Sequence, residues 1–158
     1  MYKRQRQRGT QGSRFFGQPA GTTVTTGSRD DRTFLTGYFL WGETRLGAGV
    51  IRRELKALPR DWRSNQYYIA LSQPLTGAFV LDATYTYLDA NWAQSDAQLY
   101  SMRLNYKLSK RTSLYALIGQ VRNQDAVGYS VSGGTSTPAS PGLGRHQTGL
   151  MLGMVHSF

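Results

Sequence analysis

From Thr33 onward, apolar and polar side chains alternate with a period of two in segments of 9 to 12 residues. That is the repeat of a strand with two unlike faces, and helical spacing does not fit it. Seven segments carry the pattern: 33–41, 45–54, 65–73, 78–89, 97–108, 112–123 and 147–158. In 97–108, Tyr100, Met102, Leu104, Tyr106 and Leu108 share one parity, and Ser101, Arg103, Asn105 and Lys107 the other. In 78–89, Phe79, Leu81, Ala83, Tyr85 and Tyr87 oppose Asp82, Thr84 and Thr86; in 65–73, Tyr67, Ile69 and Leu71 oppose Gln66, Ala70 and Ser72. The last segment keeps its alternation to the carboxylate, with Leu150, Leu152, Met154, His156 and Phe158 on one face.

The connections alternate in length. GET (42–44), PLTG (74–77) and SKR (109–111) are tight-turn material, whereas 55–64, 90–96 and 124–146 are longer and polar. Short connections therefore gather at one end of the predicted meander and long ones at the other. Strands of about 9–11 residues cross a bilayer when tilted, and such barrels pair short turns on one side with long loops on the other and carry aromatic girdles at both interfaces. Tyr67 and Tyr106, near strand ends, suit those girdles. The pattern predicts an all-β antiparallel meander of about seven transmembrane strands.

Composition agrees with strands: 10 Tyr, 6 Phe and 18 Gly, with no Cys. The missing cysteines exclude disulfides and thiolate chemistry. No apolar run approaches the roughly 20 residues of a membrane-spanning helix. The net charge of +10 divides evenly, half in residues 1–32 and half in 33–158. The opening MYKRQRQRGTQGSR is followed by no apolar signal region. Residues 1–32 are accordingly read as a basic segment, artefactual or loop-derived, ahead of a partial barrel domain over 33–158; a basic arm for RNA or a membrane surface is the less favoured reading.

The stretch LNYKLSKRTSLYALIGQVRN (104–123), a Gly/Ser/Pro-rich loop, and TGLMLGMVHSF (148–158) resemble the C-terminal end of Gram-negative general porins, especially the betaproteobacterial type. The matching features are Leu108 to Thr112, Leu114 with Tyr115, and His156 with Phe158; Val155 departs, since that family often has a basic residue there. The resemblance implies a 16-stranded outer-membrane barrel, usually a homotrimer, of which these strands are the last seven. It also implies that the constriction loop, signal peptide and first strand lie upstream. The implied function is passive diffusion of ions and small hydrophilic solutes through a water-filled lumen, without catalysis or cofactor. Implied partners are outer-membrane lipid, lipopolysaccharide and the assembly machinery, with no nucleic acid. The terminal face Leu150, Leu152, Met154, His156 and Phe158 resembles the signal that this machinery reads.

With Leu104 and Tyr106 toward lipid, Arg103 and Lys107 face the lumen; with Leu46, Ala48 and Val50 toward lipid, Arg45 and Arg53 do as well. Asp82 offsets them in part, which predicts an anion preference. Arg52, on the lipid-facing parity, is a rim candidate. His146 and His156 lack a carboxylate cluster and make no metal site. RLGAGV precedes no helix, so it is no dinucleotide fingerprint, and no GxSxG elbow occurs. The competing reading is a soluble β-barrel that binds a ligand.

Overall fold

The computed structural model describes residues 2–8, 27–56, 61–132 and 140–158. They form one antiparallel meander of eight strands paired in chain order: β1 (Tyr2–Arg8), β2 (Arg29–Trp41), β3 (Thr44–Lys56), β4 (Trp62–Pro74), β5 (Phe79–Ala90), β6 (Ala97–Lys107), β7 (Thr112–Asn123) and β8 (Gln147–His156). All seven expected strands are present. β2, β3 and β4 run two to four residues further at the end bearing the long connections. The apolar alternation stops there, but the ladder continues through Asp30↔Leu55 and Leu55↔Trp62.

β1 was not among the expected strands and lies in the segment read as artefactual or loop-derived. Its sequence, YKRQRQR, has no apolar alternation, yet it pairs along β2 from Tyr2↔Leu35 to Arg8↔Arg29. Ladder hydrogen bonds are made by the backbone, and an edge strand tolerates charge that a central strand does not. The remainder of the expected loop, 9–26, lies outside the described residues.

Local chemistry closes the short connections. Gly42, at φ +59°, takes the first central position between β2 and β3, where left-handed backbone favours glycine. Thr76 Oγ1 accepts from the amides of Ala78 and Phe79, and Ser109 Oγ from those of Arg111 and Thr112.

Because the period is two, the register fixes which residues share a face. Leu35, Phe39, Leu46, Ile69, Met102, Leu104, Ile118, Leu150 and Leu152 all fall on one face and remain 38–74% exposed. So continuous an exposed apolar sheet is alien to a water-soluble surface. Toward the short-connection end this face carries Trp41, Phe79 stacked on Tyr106 at 4.7 Å, and Phe158; higher up it carries Tyr67, Tyr87 and Tyr85 beside Tyr100 at 5.0 Å. Phe79 and Tyr87 stand eight residues apart on β5, about 27 Å of strand, so two aromatic belts bracket an apolar band.

The sheet curls around its opposite face. At the long-connection end one cavity there is lined by residues of every strand from β2 to β7. The small core sits at the same end: Leu55 and Trp62 are fully buried, with Ala90 and Trp92 packed against them.

Candidate functional site

The concave face is organised in cross-strand rows. Nearest the short connections, Arg45, Ser72, Asp82 and Arg103 are successive register partners on β3, β4, β5 and β6. Asp82 Oδ2 accepts from Arg103 Nη2 at 2.8 Å and from Asn105 Nδ2 at 2.7 Å. Arg45 lies with its guanidinium 5.5 Å from the centre of the Tyr38 ring. Lys107 stands four residues closer to the short turn, exposed. Among the described residues neither Arg45 nor Lys107 makes an ion pair. The row and Lys107 thus hold three cations against one carboxylate.

The next row is small across six strands: Gly47, Ala70, Thr84, Ser101, Gly119 and Gly149. Its size has a use, because the connection after β7 folds back over it. Val131 lies on the Gly119–Gly149 pair so closely that a Cβ at either glycine would come within 2.9 Å of its methyl groups. Asn123, buried at the end of β7, fastens the fold. Its Oδ1 accepts from Tyr129 N at 3.1 Å, and its Nδ2 donates to Tyr129 O at 3.0 Å and Arg145 O at 2.8 Å. Gln147 Oε1 accepts from Val131 N, and Gly144 N donates to Val127 O.

Arg53 is placed apart from the other expected wall residues, eight residues up β3 from Arg45 and about 27 Å away along the strand. It is buried rather than open to a passage. Both its Nε and Nη2 donate to the Asp30 carboxylate at 2.8 Å, and Trp62 covers its guanidinium at 5.4 Å. Arg32 donates to the same carboxylate at 2.8 Å. Tyr129 reaches this cluster from the folded loop; burial pushes its phenol up to about 12, against a smaller opposing pull from Arg53. Arg52 points to the apolar face and pairs with Glu54 at 2.8 Å.

The terminal residues lie together on the apolar face of β8. Leu150, Leu152, Met154 and Phe158 are exposed, His156 Nδ1 meets Thr112 Oγ1 at 2.8 Å, and the His156 and Phe158 rings meet edge to face at 5.0 Å. Sequence reasoning missed the Asp30–Arg53–Arg32 cluster, Trp62 and the docking of Tyr129. The signal that could have found them is the doublet DD at 30–31 set 22 or 23 residues before RR at 52–53, a hairpin's spacing.

An exposed apolar band between aromatic belts, wrapped around a concave face with charged rows, defines the wall of a transmembrane β-barrel. The family model of the Gram-negative porins matches residues 4–126, and the chain belongs to that family. It is a protein of the outer membrane. It is 28% identical over 98 residues to outer membrane porin protein 32 of Delftia acidovorans, covering 62% of this chain and 28% of that protein. Among solved structures, the anion-selective porin from Comamonas acidovorans superposes with a TM-score of 0.77 at 24% identity, over 87% of this chain and 42% of that one. The chain therefore spans well under half the length of either relative.

Proposed function

We propose that this wall forms part of a water-filled channel through which ions and small hydrophilic solutes diffuse passively, with a preference for anions and without any bond-making step. The carrying observation is the row Arg45–Ser72–Asp82–Arg103 with Lys107 beyond it, whose charges sum to a cationic excess on the concave face. The anion-selective porin from Comamonas acidovorans, whose fold this chain shares, supports the same sign. A homotrimer, contact with lipopolysaccharide at Arg52, and recognition of the β8 terminal face by the assembly machinery belong to this reading. A soluble ligand-binding barrel is disfavoured by the exposed apolar face.

The test is the reversal potential of the protein in planar bilayers under a KCl gradient. Chloride is expected to permeate better than potassium, and the double substitution Arg45→Gln with Lys107→Gln is expected to bring the permeability ratio toward one. A cation-preferring channel, or a ratio unmoved by the double substitution, would overturn the assignment.

A further inference from the structure

Above the small row, the concave face departs from what a water-filled passage requires. Phe34, Ile51, Leu88, Leu99 and Val121 all point to the side of the sheet opposite the lipid-facing band. They form the floor of a cavity of about 300 Å³. Tyr129 and Ser130 of the folded loop lie over it. Its upper margin is cationic: Arg32 and Arg53 both line it, and the one carboxylate between them, Asp30, leaves a net positive charge. Ser64 and Gln66 add polar groups to the wall. The Trp62 indole N–H and the Tyr129 hydroxyl, whose side chains also line the cavity, are buried without a hydrogen-bond partner among the described residues. Unpartnered buried groups of this kind are costly, and an acceptor within reach of either would lift that cost.

A mostly apolar cavity of this volume with a few convergent polar groups has the make-up of a small-molecule site. From these features we infer that the pocket between the β7–β8 loop and the concave wall binds a small carboxylate with an aromatic body, its ring on the Phe34–Ile51–Leu99 floor and its carboxylate at Arg32. Arg32 turns Nε and Nη2 to Asp30, so the anion is met by the remaining N–H groups of its guanidinium and the ring by the apolar floor. Fluoride, chloride or acetate would satisfy only the rim, and a neutral aromatic only the floor. Occupancy must be weak enough for release, as at any site along a passage.

The inference rests on the channel reading only in that passing solutes would reach the pocket. Its test reads occupancy without flux, so the two fail separately. The folded protein in detergent micelles is titrated with 4-fluorobenzoate, 4-fluorobenzyl alcohol and fluoroacetate, and binding is followed by fluorine NMR relaxation. Saturable binding of 4-fluorobenzoate is expected, about tenfold tighter than either other probe. Arg32→Gln, at a partly exposed position, is expected to weaken 4-fluorobenzoate about tenfold and leave the alcohol unchanged. Leu99→Trp, which fills the floor, is expected to abolish binding of both aromatic probes. Absence of saturable binding, equal binding of fluoroacetate, or an unchanged affinity in Arg32→Gln would overturn the proposal.

Discussion

Two carboxylates on the same face show how surroundings decide what a charge does. Asp30 is fully buried between Arg53 and Arg32, whereas Asp82 and Arg103 keep 26% and 48% of their side-chain surface. Asp30→Asn leaves a buried guanidinium without its counter-charge, and a loss of about 3–5 kcal/mol is expected. Asp82→Asn breaks a solvated pair and is expected to cost under about 1 kcal/mol. Unfolding of the two variants in detergent, followed by denaturant titration, separates them. The substitution at Asp82 has a second expected effect that stability does not show. It releases Arg103 from the wall and raises the chloride-to-potassium permeability ratio in the bilayer measurement.

At the level of elements, most of the sheet was legible, and the reason is periodicity. A strand between lipid and water must alternate, so β2 to β8 announce themselves, and short turns built on Gly42, Thr76 and Ser109 mark their ends. The parity that puts Arg45, Asp82, Arg103 and Lys107 opposite the apolar band follows from the same rule. What stayed hidden obeys no period. β1 pairs along β2 without an apolar alternation of its own, Arg53 takes its counter-charge from Asp30, 23 positions earlier, and Tyr129 arrives from a loop. That loop offers its own tests. Gly149→Val places methyl groups where Val131 lies, and the loop is expected to undock, with faster tryptic cleavage at Arg145 as the readout. Tyr129, whose phenol sits well above its ordinary value, favours the docked loop while protonated. Docking is thus expected to be constant below about pH 10 and to weaken between about pH 10 and 12, as the difference in phenolate absorbance between the protein and its Tyr129→Phe variant will report.

Across the whole molecule, the rows divide the concave face by height. A basic row lies near the short connections, a row of small side chains occupies the middle, and an ion-paired, partly apolar region stands beneath the folded loop. Among the described residues, β1 and β8 are the edges of the sheet. An unpaired edge in hydrocarbon costs several kcal/mol per orphan backbone group, so further strands or another chain must meet those edges where the protein resides. The Asn123 side chain also has a consequence beyond the wall. By holding Tyr129 and Arg145 together it fastens both limbs of the longest connection at their base. Insertions between Ser132 and Ser140 leave every partner in that fastening untouched, and the folded wall is expected to survive them. Sequence change between those two serines is thereby uncoupled from the contacts that seat Tyr129 and Val131 on the wall.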